Sequence, residues 1–212
     1  MSTNKLILFA SLLFIGLGLS SCAEDENTIE EYPNWQVKNE TYYKNLTDSV
    51  KHLIANGNKE WKFFKSWSKE DTLKSKLGDS ICVHVLNAGT GSGCPLYNDS
   101  VRVHYLLRIL PSTSYKDGAI IDRSYYGSYN LDTSIPKTLL VSGLIDGFTT
   151  ALMNMHIGDR WVVYMPYDLG YGSSTSNVPA YSTLIFDITL AAYYHAGSSV
   201  PVWSAKQTKW TE

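Results

Sequence analysis

The chain has 212 residues, of which 44% are hydrophobic and 18% are charged, and its formal net charge is −2. This composition supports one medium-sized globular core but not two full domains. Lysine and arginine are scattered along the sequence, which excludes nucleic-acid binding through a basic patch and membrane binding through a polybasic segment.

The N-terminus has the pattern of a processing segment. After Lys5 comes the apolar stretch LILFASLLFIGLGL, followed by small residues and an abrupt switch to polar ones, which is typical of a signal peptide. The stretch is shorter than the roughly 20 residues of a membrane-spanning helix. We predict a signal peptide over residues 1–21, a linker and helical extension over 22–80, one folded domain over 81–194 and a tail over 195–212.

The sequence LSSC at the end of this stretch resembles the bacterial lipoprotein box, in which the cysteine is cut free and acylated. The alternative is an ordinary signal peptide with a chance cysteine. Acylation of Cys22 would anchor the chain to a membrane, because several acyl chains together bind a bilayer stably. The following AEDEN resembles the export signal of surface lipoproteins in Bacteroidetes-like bacteria. We therefore expect a lipid-anchored protein of the cell envelope, at the outer membrane.

Two helical segments are predicted next. Apolar residues recur at intervals of three and four from Trp35 to Ile54, which predicts an amphipathic helix of about five turns that ends at an Asn-Gly pair. A second, weaker helical segment is predicted around Trp61, Phe64 and Trp67. The aromatic stripe is either a binding surface or a docking face, and we favour docking against the domain.

From residue 81 onward the sequence is rich in β-branched and aromatic residues. Strands are predicted at ICVHVL, SVRVHYLLRIL, RWVVYMP and STLIFDITLAAYY. One short helix, IDGFTTALMNM, interrupts them and is expected to bury Phe148, Leu152 and Met155 between Gly147 and Met155. Strands, one helix and more strands indicate an α+β domain with an antiparallel sheet.

Motifs of metal, nucleotide and hydrolase sites are missing. The five histidines are far apart and have no acidic or cysteine ligands at metal spacing, so we expect no metal ion and no cofactor. The segment GTGSG lacks the dinucleotide and phosphate-loop patterns and is predicted to be a turn. No serine lies in a Gly-x-Ser-x-Gly elbow. Whether Cys82 and Cys94 form a disulfide is left open, because sequence spacing does not fix their separation.

Four segments together resemble the FKBP-type peptidyl-prolyl isomerases: VHVLNAGTGSGCPLYNDSVRVHY, IIDRS, PKTLLVSGLIDGFTTALMNMHIGDRWVVYMPYDLGYG and VPAYSTLIFDITL. The likeness covers Ile81 to about Tyr194. It implies a twisted antiparallel sheet curled over a short helix, with a hydrophobic pocket between them. It also implies peptidyl-prolyl cis-trans isomerase (rotamase) activity on proline-containing polypeptides, and it leaves the oligomeric state open.

The resemblance assigns ten positions to the site. The catalytic positions are Tyr105, Asp122, Ile145, Phe148 and Tyr171. The positions that form the walls for the substrate are Ile121, Leu139, Leu144, Val178 and Phe186. Three of the ten depart from the family pattern, because Ile121 and Leu139 stand where the family has aromatic residues and Phe148 stands where it has tryptophan.

An isomerase explains why the motif carries no nucleophile. Rotation about an Xaa-Pro bond breaks no covalent bond, and its barrier of about 18–20 kcal/mol comes from lost amide resonance. The resemblance implies that the Ile145 N–H and the Tyr171 hydroxyl hold the substrate backbone, that proline sits on Phe148, and that Asp122 orients the pocket through Tyr105. The altered positions predict reduced activity or a changed substrate preference. The alternative is a noncatalytic FKBP-like module that binds a peptide or protein in a surface complex.

Overall fold

The computed structural model describes residues 29–70, 76–130, 133–174 and 178–203. The chain divides into a short unit that ends at Glu30 and a second unit, Glu31–Glu212, which contains every helix and strand below. The predicted signal peptide and Cys22 lie outside the described residues.

The first element is helix α1 (Trp35–Ala55), which follows the predicted apolar period. Trp35, Tyr43 and Val50 are buried, as expected of a docking face, whereas the last turn of the helix is exposed. The helix ends one residue before the Asn-Gly pair, and Gly57 has a φ of 88°, a left-handed conformation that glycine adopts without strain. The predicted helix is thus confirmed.

The second predicted helix is wrong, because its residues form strand β1 (Trp61–Lys65). The sequence WKFFK carries aromatic residues that favour strands when a partner strand is present. Trp61 stacks on His84 of that partner, with ring centroids 4.4 Å apart, and Phe64 stacks on Trp161 at 5.5 Å. Alternate side chains of β1 therefore contact opposite faces of the sheet.

Seven strands in the described part of the chain form one antiparallel sheet in the order β1-β2-β6-β7-β3-β4, with β5 also paired to β3. Four of them were predicted, and the short strands β4 and β5 were not. The remaining strands are β2 (Ser80–Asn87), β3 (Ser100–Arg108), β4 (Ile120–Arg123), β5 (Lys137–Leu140), β6 (Arg160–Met165) and β7 (Leu184–Tyr194).

Helix α2 (Asp146–Leu152) packs on the inner face of the sheet and closes the core. Phe148, Leu152 and Met155 are all buried, as predicted. The main cluster contains inward-facing residues of β2, β3, β6 and β7. The predicted α+β class, a sheet over a short helix with an N-terminal helical extension, is confirmed. Neither helix in the described ranges is long and apolar enough to cross a membrane.

Helix α1 packs on the outer face of the sheet and buries one of the two cysteines. Cys82 of β2 is fully buried in a cluster with Tyr43 and Val50 of α1. Cys94 lies in a loop, with its sulfur 3.9 Å from the Nε2 atom of His156. Both thiols are free. Burial raises the pKa of the Cys82 thiol to about 12, so this sulfur is an inert part of the core.

Candidate active site

A cavity of about 280 Å³ opens between the inner face of the sheet and the start of α2. Eight of the ten predicted site residues line it, together with three that the sequence did not assign. The lining consists of Tyr105, Leu107, Asp122, Lys137, Leu139, Gly143, Leu144, Ile145, Phe148, Tyr171 and Phe186.

One wall is built where two edge strands meet on β3. Strand β4 pairs with residues 106–108 of β3, and β5 pairs with residues 100–103. Tyr105 lies between these two pairings, so the end of each edge strand brings one charged side chain to its hydroxyl. That hydroxyl donates a hydrogen bond to Oδ2 of Asp122 at 2.7 Å and accepts one from Nζ of Lys137 at 3.0 Å.

The protonation states fit this arrangement. Burial, and then the hydrogen bond to Asp122, raises the pKa of the Tyr105 hydroxyl, so it remains a donor at neutral pH. The hydrogen bond to Tyr105 raises the pKa of Lys137, so this side chain remains a cation. The sequence placed Tyr105 and Asp122 in the site but missed Lys137. Its only signal is its position two residues before Leu139, on the same strand.

The floor of the cavity is aromatic. Phe148 meets Tyr105 edge to face, with ring centroids 5.9 Å apart, and meets Phe186 in the same way at 4.9 Å. Such edge-to-face pairs are favourable because the positive ring edge meets the negative ring face. All three side chains are buried. The floor is therefore apolar, and its rings hold one another through edge-to-face contacts.

Two hydrogen-bond donors border this floor. The Ile145 N–H, at the N-cap of α2, and the Tyr171 hydroxyl donate to no acceptor in the described ranges. Tyr171 is 43% exposed, which agrees with a large aromatic residue in a glycine turn near the surface. Burial, and then the charge of Asp122, raises the pKa of Tyr171. Its hydroxyl therefore keeps its proton at neutral pH.

The remaining predicted positions differ in placement. Leu139 and Leu144 line the cavity and give it aliphatic walls. Ile121 does not line it, because consecutive side chains of a strand point to opposite faces and its neighbour Asp122 faces the cavity. Val178 is buried within the core cluster instead of at the rim. Residues 175–177, directly before Val178, lie outside the described residues.

A family profile for FKBP-type peptidyl-prolyl cis-trans isomerases matches residues 92–191. The chain contains an FKBP-type domain. All ten predicted site positions fall inside the matched range of this FKBP-type domain, whereas α1 and β1 precede it. The cavity lies within the matched range, and it has an aliphatic side chain at position 139 and phenylalanine on its floor.

Relatives of the FKBP-type domain occur in distant organisms. The chain is 32% identical over 124 residues to the macrophage infectivity potentiator of Trypanosoma cruzi, which covers 58% of this chain and 57% of that protein. It is 35% identical over 116 residues to the outer membrane protein MIP of Legionella longbeachae, which covers 54% and 44%. The chain thus spans about half the length of these relatives.

A similar solved structure is that of a peptidyl-prolyl cis-trans isomerase from Pseudomonas syringae. It is 24% identical, with a TM-score of 0.47, and covers 72% of this chain and 96% of that chain.

Proposed function

We propose that the protein is a peptidyl-prolyl cis-trans isomerase that assists the folding of exported proteins by acting on their Xaa-Pro bonds. One observation carries the proposal. Two donors without partners in the described chain, the Ile145 N–H and the Tyr171 hydroxyl, border a buried aromatic floor at Phe148. Among the described residues that line the cavity there is no serine, cysteine or histidine, so these residues offer none of the usual nucleophiles for covalent catalysis.

The geometry supports catalysis by selective binding of the twisted amide. Rotation about the C–N bond removes resonance, so the twisted state loses its charge-separated form and is less well solvated by water than the planar state. A dry pocket at Phe148 therefore destabilises the planar amide more than the twisted one. Only interactions that are stronger in the transition state than in the ground state accelerate the reaction.

The two donors hold the chain on either side of the rotating bond. In the proposed complex, the Ile145 N–H binds a substrate carbonyl and the Tyr171 hydroxyl binds a second backbone oxygen. The proline ring rests on Phe148, whose orientation is fixed by its edge-to-face contacts with Tyr105 and Phe186. Asp122 and Lys137 act indirectly in this scheme, because both hold the Tyr105 hydroxyl in place.

A protease-coupled assay tests the activity. Peptides of the form Xaa-Pro, with different residues at Xaa, are cleaved by a protease that accepts only the trans form, so the slow phase reports isomerisation. We expect the protein to accelerate this phase at substoichiometric concentration and to differ in rate among Xaa residues. Peptides with alanine in place of proline are the control. No acceleration with any peptide would reject the isomerase proposal.

A noncatalytic peptide-binding module is the second candidate, and one observation favours it. The wall at Leu139 is aliphatic, which gives a proline ring and a residue before it less aromatic surface to pack on. This candidate predicts that Xaa-Pro peptides bind at the cavity without faster isomerisation. Titration of labelled protein with the same peptides distinguishes the two candidates.

We also propose that lipid on Cys22 holds the protein at the cell envelope. The support is the LSSC sequence after a short apolar stretch and the likeness to a protein named outer membrane protein MIP. Labelling with a radioactive fatty acid should mark the parent protein and not the Cys22→Ser variant, which should accumulate unprocessed or in the soluble fraction. Equal labelling of both proteins would reject the lipid anchor.

A further inference from the structure

Helix α1, which precedes the matched domain, is bonded to the segment that leads into β7. Nε1 of Trp35 donates a hydrogen bond to Oγ of Ser182 at 2.8 Å, and that hydroxyl donates to the carbonyl oxygen of Pro179 at 2.7 Å. Both Trp35 and Ser182 are buried. The indole therefore fixes the conformation of a segment 147 residues away in sequence.

Asn39, one turn further along α1, makes a second connection to the same segment. Its side chain is 0% exposed. Oδ1 accepts a hydrogen bond from the backbone N–H of Thr183 at 2.7 Å, and Nδ2 donates to the carbonyl oxygen of Trp35 at 2.7 Å. Every polar atom of this buried amide thus has a partner, which is the condition for a buried polar group to be stabilising.

The segment held by these bonds contains a strained residue. Tyr181 has a φ of 62°, a left-handed conformation that is unfavourable for a tyrosine. Such conformations persist when the surrounding structure imposes them. Here the next two residues, Ser182 and Thr183, are the ones bonded to α1.

Tyr181 connects this segment to the turn that carries the pocket tyrosine. Its N–H donates a hydrogen bond to the carbonyl oxygen of Gly172 at 2.9 Å, and its ring meets that of Tyr167 edge to face at 5.2 Å. The Gly172 N–H donates to the carbonyl oxygen of Tyr167 at 3.0 Å. Tyr171 lies inside this closed turn, so its backbone is held from both sides.

The same helix also reaches the start of that turn. The hydroxyl of Tyr167 donates to Oε1 of Glu40 at 3.2 Å. Residues 35, 39 and 40 of α1 therefore contact both chain segments that meet at Gly172. The Tyr171 hydroxyl itself has no partner in the described ranges, so its position depends on this backbone.

We propose that Trp35 and Asn39 are positioning residues for the proline pocket. They hold the Pro179–Thr183 segment, which imposes the conformation of Tyr181 and thereby aims Tyr171 at the substrate. The inference rests on the proposed function, and it makes a helix outside the matched domain part of the binding apparatus. Loss of either contact weakens peptide binding through the position of Tyr171.

Variants that remove these hydrogen bonds test the proposal. Trp35→Phe and Ser182→Ala break the same bond from opposite ends, and Asn39→Ala removes the acceptor for Thr183. Tyr43→Phe is the matched control, because it removes a different hydrogen bond of α1, which the Tyr43 hydroxyl donates to the Ser80 carbonyl at 2.6 Å. Ser80 is far in sequence from the Pro179–Thr183 segment. Ser182→Ala is the mildest change and keeps the test decisive if Asn39→Ala does not fold.

The dissociation constant for an Xaa-Pro peptide and KM are measured beside kcat and Tm. We expect the Trp35, Asn39 and Ser182 variants to raise the dissociation constant and KM by about two- to tenfold, with a smaller change in kcat. The double variant Trp35→Phe with Ser182→Ala should bind the peptide no more weakly than Ser182→Ala alone, because that single variant already removes the bond from Trp35 as well as the bond to the Pro179 carbonyl. Tyr43→Phe should lower Tm without changing peptide affinity.

The proposal would be overturned if the Trp35→Phe, Asn39→Ala and Ser182→Ala variants bound the peptide as tightly as the Tyr43→Phe control. If the parent protein binds the peptide but does not accelerate isomerisation, the proposed function fails, while the comparison of dissociation constants still decides the role of α1. If the parent protein neither binds nor isomerises, both proposals fall.

Discussion

The same chemical change at two tyrosines of the pocket is predicted to lower activity at one position and stability at the other. Tyr171→Phe and Tyr105→Phe each remove one hydroxyl and keep the ring. The Tyr171 hydroxyl has no partner in the described ranges and its side chain is 43% exposed, so its loss should leave the fold unchanged. The Tyr105 hydroxyl is bonded to Asp122 and Lys137, and Tyr105 is 5% exposed, so its loss should destabilise the fold.

The magnitudes follow from these contacts. A hydrogen bond between neutral groups contributes about 0.5–1.5 kcal/mol, so Tyr171→Phe should lower kcat/KM by about two- to tenfold with Tm unchanged. Bonds to charged groups contribute about 1.5–3 kcal/mol. At about 2–4 °C for each kcal/mol in a domain of this size, the loss of one such bond lowers Tm by about 3–12 °C. Tyr105→Phe loses two, so it should lower Tm by at least about 3 °C.

Calorimetry gives Tm, and the protease-coupled assay gives kcat/KM for both variants. Full activity in Tyr171→Phe would remove this hydroxyl from the mechanism. Equal losses of Tm in the two variants would contradict the assignment of Tyr105 as the bonded tyrosine and Tyr171 as the open one.

Three further outcomes are expected. Phe148→Ala should lower the free energy of unfolding, measured in urea, by about 3–5 kcal/mol, as other truncations of buried aromatic residues do. Leu140→Ala, at a side chain that is 52% exposed, should change it by less than about 0.5 kcal/mol. Similar losses in the two variants would contradict the burial of Phe148. At pH 8 an alkylating reagent should modify Cys94 in the native protein and Cys82 only after unfolding. Mass spectrometry of the peptides measures this, and modification of Cys82 in the native protein would contradict its burial. Burial raises the pKa of Cys82 and of Tyr42 to about 12, so the unfolded chain loses these protons first as pH rises past about 9–10. The free energy of unfolding should therefore fall from about pH 9 upward, and a constant value up to pH 11 would refute this account.

The hydrophobic period of the sequence predicted helix α1 but not the hydrogen bonds that connect it to the rest of the domain. Trp35, Tyr43 and Val50 follow the period and are buried, and so is Asn39 between them. A polar residue on an apolar face carries no signal in the pattern, because the N–H that it binds belongs to Thr183, 144 residues later. Tertiary partners of this kind cannot be read from local sequence.

The mistaken helix and the missed lysine have the same physical origin. The segment at Trp61 fits a weak helical period, and only pairing with β2 makes it a strand. Lys137 joins the site because β5 pairs with β3 next to Tyr105. Both depend on strand pairing across long sequence separations, whereas Phe148 and Tyr171 were predicted because the family motif fixes their positions.

Exchange spectroscopy by NMR on one Xaa-Pro peptide at equilibrium tests the central claim most directly, since it needs no protease and reports binding and rotation together. The uncatalysed interconversion takes tens to hundreds of seconds. The account predicts cis-trans exchange cross-peaks at substoichiometric protein, with an exchange rate that is about two- to tenfold lower in Tyr171→Phe. Peptide-induced shifts at the pocket without any acceleration of exchange would contradict it and make the protein a binding module.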